Sequence, residues 1–371
     1  VEGSPNRLRE IEALGQSVWL DNLGRQLLDT GELRRLIEED GLSGITSNPT
    51  IFEKSIGHSG RYDDLVRELA RELDDPQEIF EQIAYRDIRD AADLLRPTFE
   101  STGGQDGYVS FELPASLAHD AEGSVAAAQK HQAAIDRVNV LIKVPGTEAG
   151  VEAFERITAL GINVNVTLLF ALSRYEEIAE AYLRGLEQRV ERGEPVDRSA
   201  SVASFFVSRV DTKIDAELER LGRSELRGRA AVANAKLAYE SFRRLFSGPR
   251  WDALAAHGAN LQRPLWASTS TKSPDYPDTL YVDELIGPHT VNTMPDGTLA
   301  AARDHATPAR TVDRDLEDAH RTMEAVRDAG VDVDDIVLHQ LVDEGVKAFS
   351  GSYDSLLSTL EQKARELAPT S

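Results

Sequence analysis

Residues 140–160, VLIKVPGTEAGVEAFERITAL, hold a short apolar run, a Pro-Gly turn and a segment of helical apolar spacing in immediate succession. The run 140–144 is too short for a stable helix and rich in β-branched residues, so it reads as a strand. Pro145-Gly146 breaks it, and a helix is predicted from about Thr147 to 159. The same strand-then-helix unit recurs along the whole chain. Further strands are predicted at 18–23, 44–51, 108–113, 163–170, 202–208, 264–270 and 289–293. Helical spacing fills 31–40, 61–97 (two helices broken near Pro76), 121–136, 172–192, 209–221, 225–246 and 312–329. Eight strands alternating with helices fit a single α/β domain over 1–371 built as a (β/α)8 TIM barrel, whose core takes roughly 250 residues. The excess is assigned to a helix at 5–16, helical insertions near 57–105 and 221–262, and closing helices at 333–349 and 353–367. The competing doubly wound open sheet lacks support, because no glycine-rich turn follows the first strand.

Composition narrows the function. The chain has 371 residues, a net charge of −23 and no cysteine. Thiolate metal sites, disulfides and a cysteine nucleophile are therefore excluded, and a cytoplasmic setting is expected. No apolar run approaches the ~18 residues that span a bilayer, and the polar start 1–9 lacks the apolar core of a signal peptide. A chain this acidic repels nucleic-acid phosphates and anionic lipid, so neither nucleic acid nor membrane is an expected partner. The eight histidines show no paired metal-ligand spacing and no phosphate-loop or dinucleotide fingerprint is present, so neither metal nor cofactor is expected. A monomer or homodimer is expected.

Strands of a parallel barrel are covered on both faces, so polar groups within them need a reason. Lys143 stands near the end of the fourth run, at the barrel face where such folds place their chemistry. It reads either as a lysine snorkelling to solvent or as an amine whose burial disfavours the charged form, ready to attack a carbonyl and form a Schiff base. Glu112 shares a parity with Tyr108 and Ser110 in the third run, and Asp21 ends the first. Each carboxylate is a candidate proton carrier or an ion-pair partner. In the fifth run Asn163, Asn165 and Thr167 alternate with Val164, Val166 and Leu168, so Asn165 and Thr167 either orient substrate hydroxyls and water or fix strand register. Asn48 before Pro49 reads as a turn residue. Ser204 and Phe206 share a parity in the sixth strand and Arg209 follows it, in the turn or the first helical residues, reading either as a phosphate ligand or as a salt-bridge partner of Asp211 or Asp215. The seventh strand ends with hydroxyls, Ser268 among them, and Lys272 follows it, near a common phosphate position in barrels.

With these residues in place the chain resembles the transaldolase family. GITSNPTIF (44–52) is similar to its first signature, LIKVPGTEAGVEA (141–153) to the segment around its Schiff-base lysine, and VNVTLLF (164–170) and SFFVSRVD (204–211) to two further blocks in the same order. The length resembles the longer bacterial branch. The resemblance implies transfer of a dihydroxyacetone unit from sedoheptulose 7-phosphate to glyceraldehyde 3-phosphate, giving erythrose 4-phosphate and fructose 6-phosphate, with phosphorylated sugars as partners and no cofactor. Carried over block by block, it implies Lys143 as the Schiff-base lysine, Glu112 with a water held by Thr167, and Asp21 at the donor hydroxyl. Asn48 and Asn165 would hold the three-carbon unit, with Ser204, Phe206, Arg209 and Ser268 around the hydroxyls and phosphate.

One departure concerns the second phosphate arginine that the family commonly has after the seventh strand. Ser270 stands at the ungapped place, and Lys272 is the chemical substitute, a point charge without arginine's fork. Two rival functions are an aldolase that releases free dihydroxyacetone and a sugar-phosphate-binding barrel without catalysis. Related lyases tend to carry glutamine and tyrosine where this chain has Glu112 and Phe206. A non-catalytic barrel would not retain Lys143.

Overall fold

A computed structural model of the chain describes residues 6–57 and 59–367, so residues 1–5, His58 and residues 368–371 lie outside it. Eight strands, β1 (Gln16–Asp21), β2 (Gly44–Thr46), β3 (Tyr108–Glu112), β4 (Val140–Pro145), β5 (Val164–Leu169), β6 (Ser201–Phe206), β7 (Gln262–Ala267) and β8 (Thr290–Met294), pair in sequence order. All ladders are parallel, and β1 pairs with β8 to close the barrel. Each of the eight predicted strands is present, displaced by a few residues at its ends. Parallel strands bury both faces, which is why apolar side chains alternate with an inner row of tightly packed groups. Trp19 fills the barrel interior opposite Gly44, where a Cβ would lie 2.3 Å from the indole ring. Its Nε1 donates to Asp106 Oδ1 at 2.9 Å, and Arg263 lies 6.0 Å over the ring, so this group seals the N-terminal end.

Thr147 caps the helix Glu148–Ala159 by accepting from Gly150 N at 3.0 Å, as its place before the helical spacing predicts. The insertion at 57–105 contains the helices Asp63–Leu69 and Pro76–Ser101, separated at the expected break. Three expectations need correction. The second strand stops at Thr46, because Asn48 begins the helix Pro49–Gly57, its Oδ1 accepting from Ile51 N at 3.1 Å. Ser268 and Ser270 lie beyond β7, Ser268 in a left-handed turn at φ 55°. The two closing helices are a short π-helical stretch, Ile336–Gln340, running into one helix, Leu341–Leu367. A Cβ at its Gly351 would meet nothing within 4 Å, and packing along the helix outweighs the propensity cost of about 1 kcal/mol for such a glycine. Sequence periodicity also passes over Arg25–Asp29 and Asp296–His305, five and ten residues long, while Pro249–Ala256 falls within the helical insertion expected at 221–262. Short helices carry too few turns for a periodic signal.

The C-terminal helix lies across the C-terminal side of the barrel. It packs on Pro49–Gly57, Asp63–Leu69 and Pro76–Ser101 and reaches β5. Tyr353 meets Phe80 edge-on at 5.8 Å, and Lys363 Nζ pairs with Asp63 at 2.7 Å while donating to the Ile56 carbonyl at 2.9 Å. Among the described residues no helix is long and apolar enough to cross a membrane.

Candidate active site

Register builds the site. Glu112 of β3 lies opposite Lys143 of β4, and Lys143 lies opposite Asn165 of β5. Residues level across a parallel ladder share a face, so the three side chains enter the barrel as one row at its C-terminal end. Lys143 is 5 % exposed; its Nζ donates to Glu112 Oε2 at 3.1 Å and to the Ser47 carbonyl at 3.0 Å. The lysine therefore does not snorkel. Burial pushes the Glu112 carboxyl above the ordinary range, against the pull of the Lys143 ammonium, and the negative Asp21 pushes it further up.

Asp21 ends β1 opposite Thr46. The Thr46 hydroxyl donates to Asp21 Oδ1 at 2.8 Å, which leaves its oxygen to accept from Thr293 Oγ1 at 2.6 Å. Burial raises the Asp21 carboxyl, opposed by the Lys143 charge and the Thr46 hydrogen bond. Two buried carboxylates thus act on one amine, and burial biases each toward its protonated form.

Asn165 is fully buried: its Nδ2 donates to Ser110 Oγ at 3.0 Å, and its Oδ1 accepts from Ser204 Oγ at 2.6 Å. It ties three strands together while its side chain stays level with Lys143. Thr167 is 1 % exposed, and its Oγ1 has no hydrogen-bond partner among the described residues. The next residue, Leu168, has φ 59°, and the β5–β6 register shifts between Val166 and Leu169. This bulge turns the end of β5 at the barrel mouth.

Arg209 lies in the first turn of the helix Ser208–Arg220, its guanidinium 5.2 Å over the Phe206 ring. The proposed rival partners are engaged elsewhere. Asp211 accepts from Ala231 N at 2.7 Å and Tyr281 Oη at 2.8 Å, and Asp215 from Gly228 N at 3.0 Å and Tyr276 Oη at 2.7 Å. Burial pulls the Arg209 pKa down, while Glu344 and Glu112 raise it. Lys272 is the more exposed cation; its Nζ donates to Ser270 Oγ at 2.8 Å, and burial and the Arg209 charge lower its pKa. Ser268 Oγ meets Ser208 Oγ at 2.8 Å and so links the ends of β6 and β7. Asn48 is half-buried, its Oδ1 spent on the helix cap.

A buried lysine paired to a carboxylate at the barrel mouth, with two cations beyond it, is the arrangement against which the comparisons with known proteins stand. The family model described as transaldolase/fructose-6-phosphate aldolase matches residues 18–360. The chain belongs to that family. Among similar curated proteins, the transaldolase of Thiobacillus denitrificans is 49 % identical over 358 residues, covering 96 % of this chain and 99 % of the relative. Transaldolase 2 of a Nostoc species is 44 % identical over 377 residues, covering 98 % and 99 %. The transaldolase of a Parafrankia species is 47 % identical over 360 residues, covering 96 % and 97 %.

Within this member of the transaldolase/fructose-6-phosphate aldolase family, several groups at the site escape sequence reasoning. Thr46 and Thr293 became visible only when β2 and β8 met across β1. The parity of Ser110 with Glu112 was a usable signal for the Asn165 contact. No sequence pattern pointed to the Ser47 carbonyl or to Phe349, whose ring centroid lies 5.8 Å from Lys143 Nζ.

Proposed function

We propose that the protein is a transaldolase in which Lys143 is the Schiff-base nucleophile. The observation that carries this reading is the buried Lys143 amine, 3.1 Å from Glu112 and level with Asn165. An amine held beside a carboxylate can lose a proton to it without exchanging with solvent, so it attacks the C2 carbonyl of a ketose phosphate. Glu112 takes and returns the protons as the carbinolamine forms and loses water, and the Thr167 hydroxyl holds that water. The iminium then acts as an electron sink. Asp21 accepts the proton of the C4 hydroxyl as the C3–C4 bond breaks, and the bonding electrons pass into the iminium to give an enamine. The aldose phosphate leaves, an aldehyde acceptor enters, and the steps reverse with the acceptor carbonyl.

Asn48 through its free amide and Asn165 hold the hydroxyls of the three-carbon unit, with Ser204 fixing the Asn165 amide. Arg209, with Lys272, Phe206 and Ser268 around it, receives the phosphate. With sedoheptulose 7-phosphate as donor and glyceraldehyde 3-phosphate as acceptor, the products are erythrose 4-phosphate and fructose 6-phosphate. Every group in this account comes from one chain, which supports a working monomer or homodimer. The buried apolar cluster running from Leu8 to Leu360 supports a single domain that includes the inserted and closing helices. A cytoplasmic setting fits substrates of this kind.

Incubation with fructose 6-phosphate and borohydride is expected to add a reduced three-carbon group to the peptide containing Lys143. Active protein that gives no adduct there overturns the assignment. Without an aldehyde acceptor, turnover should stop after one equivalent of donor is cleaved; steady release of dihydroxyacetone would select the aldolase reading instead.

A further inference from the structure

The C-terminal helix has a part in the site that the proposed mechanism does not use. Gly345 faces the end of β5, where a Cβ would lie 2.7 Å from Leu168 Cδ2, so the helix backbone sits directly against the residue following Thr167. Four residues on, and therefore on the same helix face, Phe349 is 9 % exposed with its ring 5.8 Å from Lys143 Nζ. The other polar contacts of that amine, Glu112 and the Ser47 carbonyl, come from the barrel strands and the β2 turn. Phe349 is the apolar group set over it from outside the barrel. The helix is fastened on either side of this point: Lys213 pairs with Glu344 before it, and Thr50 Oγ1 donates to Ser352 Oγ at 2.7 Å after it.

We propose that Phe349 is a specificity-determining residue that makes Lys143 chemistry end in transfer to an acceptor and not in release of the three-carbon unit. The inference rests on the Schiff-base reading above. Release requires a proton to be added to C3 of the enamine, water to add at C2 of the resulting iminium, and the C2–Nζ bond to break with its electrons returning to the lysine. Transfer also ends in water adding at C2, when the product iminium is hydrolysed, so the step that belongs to release alone is the proton added to C3, delivered by a water that reaches the Lys143 adduct while the enamine stands. An aromatic ring set against Nζ occupies space that water needs, and its negative face favours the iminium cation.

The two contributions separate by substitution. Phe349→Ala removes both bulk and π-face, whereas Phe349→Leu keeps an apolar plug without the face. Leu360→Ala, at a fully buried position about 16 Å further along the same helix, loosens the helix without touching the site. The readout is the ratio of free dihydroxyacetone released to erythrose 4-phosphate formed, with borohydride trapping of the Lys143 adduct alongside. Phe349→Ala should raise the ratio about tenfold, while Phe349→Leu should leave it near the parent value and lower the steady-state adduct several-fold. Leu360→Ala should lower the melting temperature with the ratio unchanged. An unchanged ratio in Phe349→Ala, or an equal rise in Leu360→Ala, overturns the proposal. Absence of any adduct in the parent protein would instead overturn the Schiff-base assignment itself.

Discussion

Thr167→Val is expected to make the protein more stable and less active at once. The Thr167 side chain is 1 % exposed and its hydroxyl has no partner among the described residues. A buried hydroxyl without a hydrogen bond costs the fold about 1–3 kcal/mol relative to its solvated state, and valine replaces it with a methyl of similar shape. A stability gain of about 1 kcal/mol is expected, reduced toward zero to the extent that water reaches the hydroxyl. The catalytic consequence has the opposite sign. A hydroxyl that holds the water exchanged by Glu112 contributes to proton transfer, for which positioned groups typically give 10²- to 10⁴-fold. A fall in kcat of about 100-fold is expected, with KM nearly constant because the donor's phosphate and hydroxyl contacts are intact. Urea unfolding midpoints and a coupled assay of erythrose 4-phosphate formation measure the two effects on one sample. A destabilisation above about 1 kcal/mol would show that the hydroxyl has a structural partner, and an unchanged kcat would remove Thr167 from the mechanism.

Glu112→Gln preserves shape and removes the base. The parent kcat/KM should rise with pH along an acid limb lying above the ordinary glutamate range, since burial raises this carboxyl and only its deprotonated form accepts a proton; the variant should lose that limb along with most of its rate. Arg209→Met should raise KM for glyceraldehyde 3-phosphate by about 10- to 100-fold, the worth of a charge-assisted hydrogen bond of about 1.5–3 kcal/mol, and leave KM for unphosphorylated glyceraldehyde unchanged. An equal rise for both acceptors would place the arginine outside the phosphate site. Asp211 is buried and pushed from 3.8 up to about 6, so the fold favours its protonated form. Stability from this group is complete below pH 3.8 and is lost as pH rises to about 6, amounting to about 3 kcal/mol. Asp211→Asn should flatten the stability profile across that window, read from melting temperatures between pH 4 and 7.

How much of the site was legible in the sequence follows from which interactions are local. Lys143 stood out because a lysine inside a β-rich run before a Pro-Gly turn violates the pattern of a doubly covered strand. Glu112 and Asn165 stood out by alternation, which tells which residues share a face within one strand but not which strands adjoin. Their partners on other strands were out of reach of that argument. The choice between a phosphate ligand and a salt bridge for Arg209 was left open by the sequence, since Asp211 and Asp215 stand within six residues of it on the same helix. In the fold those acids turn toward Tyr281 and Tyr276 instead. Arg25–Asp29 and Asp296–His305 were missed because their periodicity is too brief to register, and Ser350-Gly351-Ser352 looked like a break because local propensity cannot weigh the packing that holds the C-terminal helix together.

What the chain determines by itself is the alternation of strand and helix, the placing of polar groups at strand ends, and the absence of thiol chemistry. These depend on residue type and on spacing along one element, where a period of two or of 3.6 is enough. Tertiary structure decided that Glu112, Lys143 and Asn165 stand level in one row, that a chain from Thr293 through Thr46 reaches Asp21, and that an aromatic ring from the far end of the sequence comes to lie over the lysine. Those contacts join residues separated by dozens to hundreds of positions. They exist only once the barrel has closed and fixed its register, because register sets which side chains meet, and no single strand carries that information.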